Sequence, residues 1–350
     1  MAGILQAVRG AAAGRKRSNG MEIRRLTQDE KACTRGLYEE VFPEDSREFV
    51  DYYYTEKTKD NVIYAAEEDK KIRGMLHLNP YVLSVNGSER KVNYIVAVAT
   101  QRDYRRRGYM AALLRHVLQD MYEAGQSFTF LMPAAERIYL PHDFRTVYEQ
   151  EKRYYEEGKS EYPMTQAGEE DCEKLAEAAN RYLGGNYQVF AKRDAAYYQR
   201  LLKEYASDGG ALMIRREDGE ITDCRVFMPD GAEKEKPKIM VRIVDVRRML
   251  MVLKVKSLTA VCFHITDPVI EENNRCIVFM GTEFSGVMLM DGKPENSEGT
   301  VTIAALASFL FGAKNAEEIC EEEGVFLSER MKEEMRKIIP LSKIYLNETV

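Results

Sequence analysis

Residues 96–111 run Val-Ala-Val-Ala-Thr-Gln-Arg-Asp-Tyr-Arg-Arg-Arg-Gly-Tyr-Met-Ala, and no other stretch restricts the fold as much. A β-branched run breaks at an Arg-Arg-Arg-Gly turn, after which Met110, Leu113, Leu114, Val117, Leu118 and Met121 recur at three- and four-residue spacing. That spacing predicts a helix whose apolar stripe lies on a sheet. The first amides of such a helix have no carbonyl partner within it, so together with the helix dipole they favour an anion. Gly108 has no Cβ to obstruct a close approach, and Arg105, Arg106 and Arg107 add positive charge at the same place. The turn suits a diphosphate, although a charge run is more commonly a solvated face.

The sequence Arg105-x-x-Gly108-x-Met110 resembles the acetyl-CoA-binding turn of GCN5-related N-acetyltransferases, the GNAT family, and within it the Eis-like branch. Most of the family has a small residue where Met110 stands; the Eis-like branch accommodates a larger one. The resemblance implies that Val98, Ala99 and Thr100 offer backbone contacts to the pantetheine arm. It also implies that Arg106, Arg107, Gly108, Tyr109, Met110 and Ala111 hold the pyrophosphate of acetyl-CoA as cosubstrate. A second strand, 127–133, is expected beside the first and splayed from it to admit the cofactor. The segment Ala134-Ala135-Glu-Arg-Ile-Tyr139-Leu-Pro-His-Asp143-Phe-Arg resembles the family stretch whose tyrosine protonates the departing thiolate. Tyr139 takes that role, Ala134 and Ala135 count with the cofactor-binding residues, and Asp143 stands where most relatives have glycine.

A phenol suits this work, because its unperturbed pKa lies near 10 and a thiolate is basic enough to take its proton. Position alone would not single out Tyr139 among 21 tyrosines; the register of the motif does. His142 close by is the weaker candidate, since a lone loop histidine is more often a surface residue. No Ser-His-Asp or Cys-His constellation offers a base for the amine. The Eis-like resemblance implies one at the C-terminus, where Leu341-Ser-Lys-Ile-Tyr-Leu-Asn-Glu-Thr-Val350 would insert into the first domain and present the terminal carboxylate of Val350 as general base. Ile344, Leu346 and Val350 alternate as a docked strand would, against the common fate of a frayed end, and Glu348 would act in support electrostatically.

The chain has 350 residues, 45% hydrophobic and 31% charged, room for two or three domains with ordinary cores. No apolar stretch approaches the roughly 20 residues of a membrane helix. A net charge of −6 argues against nucleic acid as partner and, over the surface as a whole, favours cationic amines such as polyamines or aminoglycosides; a peptide lysine is the third acceptor class. Six cysteines lie scattered without CxxC pairs, so neither a metal site nor a disulfide scaffold is expected, and a reducing cytoplasm is the simplest location. Residues 1–20 are small and basic and are expected to be a disordered leader, with Met21 as the structural start.

The expected fold class is α/β (α+β) in three parts. Residues 21–145 form the GNAT catalytic domain, with strands at 21–26, 61–66, 72–78, 81–85 and 91–98 and a helix over 28–41. Residues 146–236 hold a charged linker and a degenerate GNAT-like region, with helices near 169–182 and 194–205 and a hairpin turning at Asp218-Gly219. Residues 237–350 resemble the sterol carrier protein-like α+β domain that closes Eis-like chains, opening with a strand at Met240 and containing a helix over 302–312. The alternative to an enzyme is a binding protein whose last domain carries an apolar ligand. Relatives in the Eis-like branch imply a homo-oligomer, and a hexamer in particular.

Overall fold

The computed structural model describes residues 20–159, 162–231 and 236–349. β1 (Glu22–Arg25) is followed by a 3-10 turn over Gln28–Thr34 and by α1 (Arg35–Val41) and α2 (Arg47–Thr55). Then come β2 (Val62–Glu68), β3 (Lys71–Val85), β4 (Ser88–Thr100), α3 (Tyr109–Glu123), β5 (Phe128–Leu131), α4 (Glu136–Tyr139) and β6 (Arg145–Glu149). The middle of the chain supplies β7 (Thr165–Gln166), α5 (Cys172–Asn186), β8 (Val189–Ala191), α6 (Ala195–Ser207), β9 (Ala211–Glu217) and β10 (Glu220–Phe227). After β11 (Lys238–Ile243) and α7 (Val246–Leu250) come β12 (Lys254–Val255), β13 (Thr259–Thr266), β14 (Arg275–Thr282), β15 (Gly286–Asp291) and β16 (Gly299–Thr302). The chain closes with α8 (Ile303–Leu310), α9 (Ala316–Ile319), β17 (Phe326–Leu327), α10 (Glu329–Met335), β18 (Ile338–Ile339) and β19 (Ile344–Tyr345).

The expected α/β class holds. The main sheet runs β1-β2-β3-β4-β5-β11-β6, with β8 paired to β3 and β19 to β8. Two-residue turns at Asp69-Lys70 and Asn86-Gly87, with positive φ at both residues, close the β2-β3 and β3-β4 hairpins. The strands expected at 72–78 and 81–85 are one strand, β3. Pro80 interrupts the sequence pattern but not the strand, because β2 reaches only to Leu78 and β8 begins only at Leu83. Pro80 thus sits where β3 has no neighbour on that side, the kind of edge at which a missing N–H costs little. The helix expected over 28–41 is split into the 3-10 turn and α1, which brings Lys31 inward to donate to the Thr58 and Asn61 carbonyls at 2.6 Å each. Helix α2, to which the sequence reading assigns no element, is capped by Ser46 Oγ accepting from the Phe49 amide.

One face of the sheet is covered by α3 through Leu113, Leu114, Val117, Leu118 and Met121, the stripe read from the sequence. The opposite face carries α1 and α2 over β3 and β4, and beyond them the C-terminal region, where Phe311 meets Phe128 edge to face at 5.2 Å. Every residue of α8 is 6% exposed or less, so this helix is packed into the shared core. β11 crosses the boundary expected at 237: it lies in the main sheet, antiparallel to β5 and β6.

Candidate active site

β4 and β5 are parallel and pair only at Tyr94 with Phe130 and Ile95 with Leu131. Beyond that point β4 continues to Thr100 while β5 ends at Leu131, which leaves an opening between the two strands. The ladder with β3 also slips there, Met75 facing Ala99 and His77 facing Val96, with Ala97 at φ 48° in the bulge. Val98 packs partly on the α3 side, and Ala99 is buried against α1 and α2. The Ala99 side chain is therefore turned away from the opening, and what it leaves for a ligand is its backbone.

A short 3-10 turn at Arg102–Tyr104 leads into the arginine run. Arg106 has φ 63° and Gly108 φ 88°, so two residues adopt the left-handed conformation within one turn and aim successive amides outward. Gly108 is the N-cap of α3, no side chain caps that helix, and a Cβ built on Gly108 meets nothing within 4 Å. The glycine answers the backbone angle rather than crowding by protein atoms. Arg105, Arg106 and Arg107 are exposed. Arg105 Nε donates to the Thr100 carbonyl at 3.2 Å and ties the turn to the end of β4, while Arg107 and Arg73 lie over the Tyr104 ring at 4.9 and 4.1 Å. Tyr109 is buried under the turn, Met110 is half-buried against the α3 core, and Ala111 follows in the first helical turn. These features fit an anionic, elongated cosubstrate: open amides at a helix start, three cations around them, and a gap between strands leading inward.

Tyr139 ends α4, just past exposed Ala134 and half-buried Ala135, and is 8% exposed. Its ring meets Phe144 at 5.9 Å, and burial pushes its phenol up to about 12. Asp143, which replaces a glycine of the family, takes φ 64°, so the turn keeps the left-handed residue that a glycine would supply. One Asp143 carboxylate oxygen is buried 3.7 Å from Arg242. His142 is half-buried, with its pKa lowered by burial and by Arg115.

The tail docks. β19 joins the main sheet beside β8, Leu346 is fully buried, and Gln150 Nε2 donates to the carbonyls of Leu346 and Glu348 at 3.0 and 3.1 Å. Tyr148 donates to Asn347 Oδ1 at 2.9 Å, and Lys57 Nζ, paired with Glu204 at 3.0 Å, donates to the Thr349 carbonyl at 3.5 Å. Val350 lies outside the described residues, as do residues 1–19 of the expected leader.

The sequence reading missed what surrounds this tail. His77, Asn79 and Tyr81 alternate along β3 onto the α2 side, beside Tyr94 of β4, which stacks on Phe130 at 4.7 Å. His77 Nε2, both side-chain polar atoms of Asn79, the Tyr94 hydroxyl and both carboxylate oxygens of Glu348 are buried without a hydrogen-bond partner among the described residues. Glu348 is 1% exposed; burial raises its pKa, against the pull of Arg193 at 3.8 Å and of Lys57. Burial, with Lys31 nearby, holds His77 down to about 3, so it is neutral. A hydrophobic-period reading counts such residues as core; only the pairing of β3, β4 and the tail shows polar groups gathered at the opening in the sheet.

Residues 22–147 match the family described as acetyltransferase (GNAT) domain. No curated protein matches the chain by sequence. Among solved structures it is similar to a GCN5-related N-acetyltransferase from Anabaena variabilis, at 13% identity and a TM-score of 0.73 over 94% of this chain and 100% of that one. A probable N-acyltransferase from Enterococcus faecalis gives 15% identity and 0.69 over 93% and 100%, and Eis1 from Mycobacterium abscessus 13% and 0.66 over 94% and 100%. At these identities the likeness is one of fold, extending through the C-terminal region. Residues 22–147 are a GNAT acetyltransferase domain, and the chain that carries it is an acyltransferase.

Proposed function

We propose that the protein transfers an acetyl group from acetyl-CoA directly to a primary amine. The observation that carries this reading is the uncapped start of α3 behind left-handed Arg106 and Gly108, next to the gap between β4 and β5. Acetyl-CoA supplies an activated thioester. Arg106 to Ala111 would hold its pyrophosphate with amides and guanidinium charge, and the backbone of Val98 to Thr100 would line the arm. Tyr139, a phenol protonated across the neutral range and held so further into alkali by burial, carries at Oη the proton that a thiolate leaving group takes up.

The base is the terminal carboxylate of Val350. What supports it is the docking of 344–349, which brings the Thr349 carbonyl to within 3.5 Å of Lys57 Nζ, just after α2. The C-terminal region, whose likeness to a sterol carrier protein we retain as part of this reading, acts as the scaffold that aims the tail. The fully buried α8 supports a packed support over a lipid carrier.

The test is free-thiol release from acetyl-CoA with a panel of primary amines, for the native chain, for Tyr139→Phe and for a chain extended beyond Val350. Turnover lost in both variants with acetyl-CoA still bound would support the two roles. A native chain that neither binds acetyl-CoA nor acetylates any amine would overturn the reading.

A further inference from the structure

A cavity of about 810 Å³, bounded among the described residues by α5, α6, β10, the segment 150–154 and the tail, has the size of a small-molecule site. None of its lining residues belongs to the arginine turn, to α4 or to β4 and β5, so it is a place apart from the proposed acetyl-CoA cleft. Leu175, Leu201 and Ile221 give it apolar surface, and the small side chains of Ala178 and Ala179 leave room that a longer residue on α5 would fill. Tyr182, Tyr197 and Tyr345 present rings from α5, α6 and the tail. Surfaces of this kind suit a flat, apolar body.

Two polar side chains that line the cavity are buried and only partly satisfied. Gln150 is 2% exposed, and its Nε2 donates to the carbonyls of Leu346 and Glu348 at 3.0 and 3.1 Å. Those two acceptors fix which way round the amide sits, and the atom left over, Oε1, has no hydrogen-bond partner among the described residues. Arg193 donates from Nη1 to the Tyr198 hydroxyl at 2.9 Å and lies over the rings of Tyr197 and Tyr345 at 5.0 and 5.4 Å. Its Nε is buried and likewise has no partner among the described residues. Buried polar groups left unpaired are costly and few in folded proteins, so a free acceptor and a free, charge-assisted donor on one cavity wall point to a molecule that answers both.

We infer that this cavity is a second binding site, for an aromatic molecule bearing a carboxamide-like group whose carbonyl accepts from Arg193 Nε and whose N–H donates to Gln150 Oε1. The ring lies against the tyrosine faces and the apolar floor. Gln150 also links the site to the docked tail: the amide that meets the ligand through its oxygen holds the Leu346 and Glu348 carbonyls through its nitrogen, and Tyr345 and Asn347 are themselves part of the wall. A ligand that fixes Gln150 therefore steadies residues 344–349. This goes beyond the acetyl-transfer reading and does not depend on it.

Three ligands on one ring system test it: 2-naphthamide; methyl 2-naphthoate, which keeps the carbonyl and loses the N–H; and naphthalene, which has neither. Each is titrated into the full chain and followed by ligand-observed NMR. The naphthamide should bind about tenfold or more tighter than naphthalene, with the ester between them, and excess acetyl-CoA should not displace it. Leu201→Trp and Ala178→Phe, which fill the cavity from two helices, should each abolish naphthamide binding in a chain that melts as the native one does. Hydrogen exchange over 344–349 should slow when the native chain is saturated with the naphthamide. Naphthalene binding as tightly as the naphthamide, unchanged binding in both filled variants, or displacement by acetyl-CoA would each overturn the inference, and unchanged exchange would overturn the link to the tail. Should one filled variant fail to fold, the other variant and the ligand series in the native chain still decide. Every readout is binding or exchange, so a chain that acetylates no amine strikes the acetyl-transfer reading alone.

Discussion

At the scale of single residues, the proposed acid is a phenol with no ionic partner among the described residues. Burial alone raises Tyr139 to about 12. In the proposed role of general acid it must stay protonated, so the kcat profile should show no alkaline limb from this group below about pH 11. Tyr139→Phe should lower kcat by about 10²-fold or more with acetyl-CoA affinity unchanged, measured by thiol release and by calorimetry. The motif register is what singles out Tyr139 in the sequence, and the structure shows it buried at the end of α4. Spacing gives no sign of Glu348 or Tyr94, whose buried oxygens have no hydrogen-bond partner among the described residues. Asp143 shows how a departure from a motif can leave geometry intact: an Asp tolerates the left-handed region well enough to keep the turn.

At the scale of elements, the turn between β4 and α3 depends on φ 88° at Gly108. Gly108→Val should cost about 1–2 kcal/mol from the left-handed backbone and weaken acetyl-CoA binding further by placing a branched side chain before the amides; calorimetry with coenzyme A and a thermal melt check the two effects. The amphipathic stripe of α3 and the hairpin at Asn86-Gly87 were legible because each is a local pattern. α2 and the continuity of β3 were not. A run of tyrosines has no clear period, and Pro80 is tolerated only because β2 and β8 leave a gap beside it.

At the scale of the whole molecule, two ties bind the C-terminal half to the GNAT sheet. Arg242 of β11, with no exposed surface, pairs with Asp267 at 2.5 and 2.8 Å, and Asn273 donates to the same carboxylate at 2.8 Å. Burial would raise Asp267, but the hydrogen bonds and charge of Arg242 outweigh it and hold the carboxyl below its ordinary value. A carboxylate depressed in the folded state adds stability that is whole above its unfolded pKa of about 3.9 and is lost as pH falls through the folded pKa. Acid melts should therefore show a stability loss below about pH 4 that is smaller in Asp267→Asn. At neutral pH that variant should lose about 3–5 kcal/mol, as urea unfolding would show, since it strips the buried guanidinium of its two-point carboxylate partner; the only carboxylate it keeps among the described residues is Asp143 at 3.7 Å. The second tie is the tail. Leu346→Ala, at a fully buried site, should cost about 2–5 kcal/mol and lower turnover by loosening the chain end.

The sequence by itself determined the strand, basic glycine turn and helix at 96–123 and the hairpins, because each depends on neighbours within a few residues. Only the tertiary structure decided that β11 lies beside β5, that β19 enters the main sheet through β8, and that Arg193, Glu348 and Tyr94 gather near one opening. Those contacts join residues more than a hundred positions apart, and the hydrophobic pattern that buries a strand is the same whichever sheet receives it.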